Sequence, residues 1–297
     1  EPIQGAGGVI VPPANYWSEI QKICQKYDIL LAADEVICGF GRTGSWFGSD
    51  TLEIKPDIIS MAKGLSSGYL PIAAVAVGDR IANALIEHDD DFNHGFTYSG
   101  HPVAAAVAIE NIRLMKEENI VDYVGNDIGP YFQQKLRETL SEHPLVGHIE
   151  GVGLVAGIAL VKDKETKELF SDDVDIGMIC RDHCFNNGLI MRAVGSRMVL
   201  SPPLVISHAE VDEGPGEERI KLKIADVIKN RVRSTTAVHA QTTAPLTKGR
   251  GRGPDPLLLN TTPVADLPPE PPLTASLRPE PPLTAPRLSI NSIAPAM

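Results

Sequence analysis

The sequence has little basic charge, few cysteines and no long apolar run, and each shortage excludes a class of function. Its 27 Lys and Arg residues face 38 Asp and Glu residues, so the formal net charge is -11 at pH 7. Nucleic acid is therefore not expected as a partner, because phosphate backbones are held by clustered Lys and Arg. No apolar run is long enough to span a bilayer, so we expect no membrane partner either.

Cysteine is too sparse for a disulfide framework or a metal site. The four cysteines form no CxxC pair. Two of them could share one helix face with His183, but a structural zinc site needs four ligands. We therefore expect no metal, and a reducing, cytoplasmic location. The cysteines are Cys24, Cys38, Cys180 and Cys184.

Aromatic residues stop at Phe185, and proline becomes abundant after Glu213. Residues 214–297 hold 14 of the 24 prolines and carry 11 Lys and Arg against 7 Asp and Glu, whereas residues 1–213 carry 16 against 31. A segment with so little apolar surface to bury cannot offset the entropy lost on ordering the chain. We expect residues 214–297 to be a disordered Pro-rich tail.

The tail contains a repeated heptapeptide that suits extended polyproline geometry. The run Pro269-Glu270-Pro271-Pro272-Leu273-Thr274-Ala275 recurs at residues 279–285. It could serve as a ligand for Pro-binding modules. Composition favours two plainer explanations, a linker or an out-of-frame or fused translation.

The first 140 residues alternate between helical and strand patterns. Apolar residues at helical spacing occupy 16–27, and a long Ala- and Val-rich helix is predicted from Pro102 to Lys116. Short apolar runs predict buried strands at 29–33, 58–62 and 72–77. This alternation is typical of an α/β fold whose sheet is mainly parallel and covered on both faces.

Residues 141–213 have fewer crossover helices per strand, which indicates a small α+β domain. Strands are predicted at 146–149, 154–161 and 189–192, with one helix at 175–186.

Asp34 and Lys63 each lie at the carboxyl end of a predicted buried strand. Open α/β sheets place ligand-binding groups at that edge. The Asp34 carboxylate could bind a ligand or cap the following turn, and its position suits both roles equally. Desolvation of Lys63 beside Gly64 would favour the neutral amine that a Schiff-base nucleophile requires. For a lysine standing alone, a side chain that simply reaches solvent is the more common case.

Several motifs occur together in a fixed order and spacing. They are Glu1-Pro2-Ile3-Gln4-Gly5, Ala33-Asp34-Glu35-Val36, Gly39-Phe40-Gly41-Arg42-Thr43-Gly44, Ala62-Lys63-Gly64 and Gly95-Phe96-Thr97-Tyr98-Ser99-Gly100-His101-Pro102. In these motifs the sequence resembles the class III, fold type I, pyridoxal-phosphate-dependent aminotransferases. The resemblance covers residues 1–213, roughly half of a complete family member. It implies part of the large cofactor-binding domain at 1–140 and the small C-terminal domain at 141–213, followed by an unrelated tail.

The resemblance implies a role for each matching residue. Lys63 is similar to the lysine that binds the cofactor covalently as a Schiff base and later moves the substrate proton. Asp34 resembles the acid that pairs with the pyridine nitrogen, and Val36 would pack against the ring. Phe96 and Thr97 resemble the residues that reach the cofactor phosphate of the other subunit. A homodimer with shared sites is the implied assembly.

Arg192 resembles the family arginine that receives the substrate carboxylate, with Arg197 a nearby competitor outside the motif. Ala6 and Ile37 stand where ornithine- and 4-aminobutyrate-type members usually carry Glu and Gln. These two positions are similar instead to the ω-amino acid or amine:pyruvate branch. The implied function is transfer of an amino group from an ω-amino acid or amine to a 2-oxo acid, pyruvate above all.

Two other interpretations remain open from the sequence. One is another class III activity, such as a diaminopelargonate aminotransferase or a semialdehyde aminomutase. The other is a catalytically silent truncated or frame-shifted fragment. The family's main phosphate-binding loop and ring-stacking aromatic would lie before Glu1, and Gly214-Pro215-Gly216 interrupts the helix expected after His208. For this reason the chain alone is expected to be inactive.

Overall fold

The computed structural model describes residues 1–87 and 94–213. The predicted disordered tail at 214–297, with its repeated heptapeptide, lies outside the described residues. Within the described ranges, no helix is long and apolar enough to cross a membrane. The expected cytoplasmic location stays a prediction.

The first sheet contains a parallel pair and an antiparallel pair, in the order β1-β2-β3. Strand β1 runs parallel to β2, with Asp34 opposite Ser60, and β3 runs antiparallel to β2. The mainly parallel sheet that we expected therefore holds for β1 and β2 but not for β3. A parallel strand needs a crossover of a dozen or more residues, usually a helix. Only a 3₁₀ turn, Lys63–Leu65, lies between β2 and β3.

The elements of this part of the chain follow the predicted order. The long helix α4 begins at Pro102, where a missing N–H costs nothing, and ends at Glu117, one residue beyond its predicted end. In sequence order the elements are α1 Tyr16–Lys26, β1 Ala32–Asp34, α2 Gly48–Thr51, β2 Ile58–Met61, β3 Ala74–Val77, α3 Asp79–Glu87, α4 Pro102–Glu117, α5 Ile120–Tyr123 and α6 Gly129–Leu140.

The second sheet is antiparallel throughout, in the order β4-β5-β7-β6. Helix α6 packs against it, and together they enclose a large apolar cluster that includes Leu136, Leu154 and Met198. This arrangement agrees with the predicted α+β character of residues 141–213. The elements are β4 Val146–Val152, β5 Val155–Leu160, α7 Ile176–Asn186, β6 Arg192–Val194, β7 Arg197–Leu200 and α8 His208–Glu213.

Strand β6 begins at Arg192, where the sequence pattern had predicted a strand to end. Gly188 has a positive φ of 82° and ends helix α7. The amide of Leu189 then donates to the carbonyl oxygen of Cys184 at 2.9 Å, which is the bond of a Schellman cap. Leu189 is therefore part of the helix cap, and the strand starts three residues later. The domain boundary between residues 140 and 141 stays a prediction.

Candidate functional site

Asp34 and Lys63 lie at the same edge of the first sheet. Strands β1 and β2 are parallel, so their carboxyl ends meet at that edge. Asp34 is the last residue of β1, and Lys63 follows the end of β2 by two residues. Both side chains are exposed. Across the described residues, the Lys63 ammonium makes no hydrogen bond or ion pair.

The Asp34 carboxylate also stabilises the turn that follows β1. Its Oδ1 accepts a hydrogen bond from the amide of Val36 at 3.0 Å. The capping role considered from the sequence is thus present in the structure. One oxygen is enough for that bond, so the ligand-binding role remains compatible with it. Val36 itself is half-buried beside this turn.

Glu35 anchors the same turn from the opposite face of the sheet. It is 0% exposed, and its carboxylate accepts bonds from the amides of Gly48 at 2.8 Å and Ser49 at 2.6 Å and from the Ser49 hydroxyl. Two residues after Val36, the buried Cys38 thiol donates to the carbonyl oxygen of Ile3 at 3.4 Å. Burial raises the pKa of Cys38 to about 11, so this thiol is not a nucleophile at neutral pH. Both side chains fix the backbone around Asp34.

Lys63 has an unusual backbone conformation, with φ at +40°. Residues other than glycine rarely adopt this left-handed backbone conformation, and those that do often lie at functional sites. The following residue, Gly64, lies against Phe40, where an added Cβ would come 2.8 Å from the Phe40 Cβ. The strand-end turn thus packs tightly on the segment that follows Asp34.

The structure distinguishes the two candidate arginines. Arg197 donates to the carbonyl oxygens of Gly8 at 2.8 Å and Val9 at 2.7 Å, and it pairs with Glu150 at 2.5 Å. Arg192 is exposed and makes no hydrogen bond or ion pair through its side chain within residues 1–87 and 94–213. A guanidinium that is free can receive a carboxylate, so the geometry favours Arg192.

The N-terminal segment lies between the Asp34 turn and the second sheet. The amide of Gly5 donates to the Glu1 carboxylate at 3.2 Å, and an added Cβ at Gly5 would meet Ile37 at 2.7 Å. Ala6, next in the chain, is exposed. Through Gly8 this segment is tied to Arg197. A continuous set of contacts therefore joins the edge that carries Asp34 to the hairpin that carries Arg192.

Arg42 makes a second connection that the sequence did not reveal. Its Nη1 donates to the carbonyl oxygens of Leu154 at 2.9 Å and Pro202 at 2.5 Å. Burial lowers the pKa of the Arg42 guanidinium to about 10, which leaves it charged at neutral pH. Arg42 thus holds the turn after Asp34 against the ends of the second sheet.

Phe96 and Thr97 lie in an exposed loop before α4. The Phe96 amide donates to the Ser99 hydroxyl at 2.9 Å, so within this chain it is already paired. Phe96 is 75% exposed and Tyr98 76% exposed. Together with residues 70–73 they line an apolar cavity of about 610 Å³. Exposed aromatics around an apolar cavity are typical of a protein interaction surface.

The residues at the sheet edge are a suitable donor set for pyridoxal phosphate. Lys63 offers an amine that pairs with no residue of the described ranges, and Asp34 offers a carboxylate on the neighbouring parallel strand. An amine suits the cofactor's aldehyde, and a carboxylate suits its ring nitrogen. In the described part of the chain, no group of three or more His, Cys, Asp or Glu residues could hold a metal ion.

Comparison with known proteins identifies one family. The profile described as Aminotransferase class-III matches residues 1–220. The chain is 59% identical over 213 residues to the putrescine–pyruvate aminotransferase of Pseudomonas aeruginosa, covering 72% of this chain and 46% of the relative. It is 45% identical over 216 residues to gamma aminobutyrate transaminase 3, chloroplastic, of Solanum lycopersicum, covering 72% of this chain and 41% of that relative.

Solved structures of transaminases share the fold. The omega transaminase from Pseudomonas jessenii in complex with PMP superposes with a TM-score of 0.72 at 43% identity, covering 77% of this chain and 50% of that one. A transaminase from the marine bacterium Virgibacillus gives a TM-score of 0.73 at 38% identity, over 77% of this chain and 52% of that one. The chain therefore spans about half the length of the relatives that it matches.

Proposed function

This chain belongs to the class III aminotransferases, a pyridoxal-phosphate-dependent family, and we propose that it carries the catalytic lysine of an ω-amino acid or amine:pyruvate transaminase. One observation carries the proposal: the Lys63 amine, which pairs with no described residue, and the Asp34 carboxylate lie at the carboxyl ends of neighbouring parallel strands, at one sheet edge. The alternatives are another class III activity and a silent fragment.

The proposal gives Lys63 and Asp34 separate tasks. When bound, pyridoxal phosphate supplies an aldehyde that reacts with primary amines and a ring that accepts the electron pair released from substrate Cα. The Lys63 amine holds the cofactor and, once a substrate amine replaces it, carries the proton to and from Cα. The Asp34 carboxylate holds a proton on the ring nitrogen by its negative charge. Val36, beside Asp34, packs against the ring.

Arg192 binds the substrate carboxylate in this proposal. A guanidinium fork matches a carboxylate with two parallel hydrogen bonds. The free side chain of Arg192 supports the assignment, and the three-way engagement of Arg197 argues against its competitor. Pyruvate as the acceptor rests on the similarity to the putrescine–pyruvate aminotransferase of P. aeruginosa.

We further propose a homodimer in which Phe96 and Thr97 contact the cofactor phosphate of the other subunit. The exposed Phe96 and Tyr98, beside an apolar cavity, support an interface at this loop. The Thr97 hydroxyl is exposed and available to a phosphate. The Phe96 amide would have to exchange its bond with Ser99 for one to the phosphate.

An assay of a completed protein tests the proposal. In the completed protein, the portion of the P. aeruginosa relative that lies outside the match is joined to this chain. With pyridoxal phosphate, a diamine or arylalkyl amine and pyruvate, it should form alanine over many turnovers. For the diaminopelargonate alternative, S-adenosylmethionine replaces the amine as amino donor, and the oxo precursor of diaminopelargonate replaces pyruvate as acceptor. No turnover with any partner would favour the silent fragment. The 297-residue chain assayed alone should show no turnover.

Replacing Arg192 with alanine in the completed protein should impair only substrates that carry a carboxylate. In the half-reactions of alanine and pyruvate, stabilisation of the transition state should fall by about 2–4 kcal/mol, because the substrate carboxylate loses its partner. A carboxylate-free arylalkyl amine should react at nearly the parent rate. The measurement is kcat/KM for each half-reaction.

Arg181 provides the matched control for Arg192. It is a half-buried arginine on α7 that, among the described residues, pairs with its neighbour Asp182 alone. Replacing Arg181 with alanine should leave both substrate classes unaffected. If the Arg192 variant loses both classes equally, Arg192 does not recognise the carboxylate.

A further inference from the structure

A single side chain on α4 holds the turn that carries Lys63. The Asn111 amide nitrogen Nδ2 donates to the carbonyl oxygens of Gly64 at 2.9 Å and Leu65 at 3.1 Å. Its oxygen Oδ1 accepts from the hydroxyl of Ser67 at 2.6 Å. All three bonds go to residues that immediately follow Lys63.

The same turn needs support because Lys63 is in the left-handed region, with φ at +40°. For residues other than glycine this conformation persists only where the surroundings hold it. Leu65 is buried in a cluster with Ala108 and Met115 of α4, so the helix packs on the turn directly. Apolar packing alone has no direction, whereas the two bonds from Asn111 fix the orientation of both carbonyl groups.

We propose that Asn111 is a positioning residue for Lys63. By holding the carbonyl groups of Gly64 and Leu65, it keeps the Lys63 backbone in its left-handed conformation. The amine then leaves the sheet edge in one direction. Asn111 acts through Lys63 and does not contact the cofactor. The inference rests on the proposed function of Lys63 and adds a residue to it.

The chain offers a matched control for this role. Gln133 also donates from one amide nitrogen to two carbonyl oxygens, those of Gly153 at 3.0 Å and Val155 at 3.1 Å, but against the second sheet. Asn111→Leu removes both donated bonds and the bond from Ser67 while keeping the number of side-chain heavy atoms, and Gln133→Met removes two donated bonds with one heavy atom fewer. Both variants of the completed protein should have a lower Tm. Only the Asn111 variant should alter the chemistry of Lys63.

The first measurement is cofactor attachment without substrate. Each variant is titrated with pyridoxal phosphate and reduced with borohydride, and the mass added to the Lys63 peptide is quantified. In Asn111→Leu the half-saturating cofactor concentration should rise about tenfold, as expected for the loss of one or two directed bonds. Gln133→Met should stay within about twofold of the parent protein. Asn111→Asp keeps the acceptor for Ser67 and should resemble Asn111→Leu, which covers the case in which the leucine variant does not fold.

The second measurement asks whether Asn111 acts through Lys63. In Lys63→Ala, free ethylamine is added to replace the missing amine, and the residual rate is compared with and without Asn111→Leu. A residue that acts only through Lys63 should add no further loss there, although it lowers kcat about tenfold when Lys63 is present. In the protein that retains Lys63, Asn111→Leu should lower kcat equally for donors with and without a carboxylate.

Two results would overturn the inference. In one, Asn111→Leu and Gln133→Met affect attachment equally, which would make Asn111 merely structural. In the other, Asn111→Leu causes the same loss whether or not Lys63 is present. If the parent protein neither attaches the cofactor at Lys63 nor transaminates, the proposed function fails and the inference fails with it.

Discussion

Replacing Lys63 with alanine in the completed protein is expected to abolish covalent attachment of pyridoxal phosphate and nearly all turnover. Proton transfer by a positioned side chain contributes about a hundredfold to ten-thousandfold to a rate, so we expect a loss of about a thousandfold or more. Attachment is measured by borohydride reduction and peptide mass, and turnover by alanine formation. The Lys63 side chain is exposed, so its removal costs little packing and the protein should remain folded.

Lys55 is the matched control for Lys63. It is also exposed and lies three residues before β2, near the opposite end of the same strand. It therefore lies at the edge of the sheet where the parallel strands begin, opposite the edge of the expected site. Lys55→Ala should keep both attachment and turnover. If Lys63→Ala also kept both, Lys63 would be an ordinary solvent-exposed lysine.

The positions of Asp34 and Lys63 at strand ends could be predicted from the sequence because the signal for a strand end is local. A short apolar run that ends in a charged residue indicates a buried strand and its carboxyl end. In the structure Asp34 ends β1 and Lys63 follows the end of β2 by two residues, and the two strands are parallel. The prediction that the strands are buried was wrong: only Ala33 of β1 is buried, and the residues of β2 and β3 are half-buried or exposed. The same local reasoning predicted that Asp34 binds a ligand or caps the following turn. The bond from the Val36 amide to Asp34 shows that it caps the turn.

Strand direction and helix caps were harder to predict. An apolar run does not show whether a strand is parallel or antiparallel to its neighbour, and β3 is antiparallel to β2, with only a 3₁₀ turn between them. The start of β6 was missed because Leu189 is apolar but belongs to the cap of α7. In both cases the connection between two elements decided the outcome, and an apolar pattern carries little information about connections.

The residues that hold the site together could not be predicted from their neighbours in sequence. Arg42 binds the carbonyl oxygen of Pro202, 160 positions away, and Arg197 binds that of Gly8, 189 positions away. Asn111 binds Gly64 across 47 positions. Bonds from a side chain to a distant backbone carbonyl follow no period and require no particular partner residue. Such bonds become visible only when the fold brings the segments together.

Replacing Asp34 with asparagine is expected to lower turnover of the completed protein about a hundredfold or more while leaving the fold intact, as when a stabilising charge is lost in a catalytic site. Asparagine has the same shape as aspartate, and its oxygen can still accept the bond from the Val36 amide. The variant therefore removes the charge that we propose to hold a proton on the cofactor ring nitrogen, but it keeps the turn. Turnover is measured with saturating substrates, and Tm is measured in parallel.

Asp57→Asn is the matched control, because it removes a negative charge from the same sheet at the end opposite to Asp34. The Asp57 Oδ2 accepts a bond from the Leu31 amide at 2.8 Å, so it supports the amino ends of β1 and β2 much as Asp34 supports the carboxyl end of β1. Asp57→Asn should change neither turnover nor the pH dependence of turnover. Asp34→Ala, which removes the turn bond as well, should lower Tm more than Asp34→Asn does. An unchanged rate in Asp34→Asn would mean that Asp34 only caps the turn, and the proton on the ring nitrogen would then need another partner.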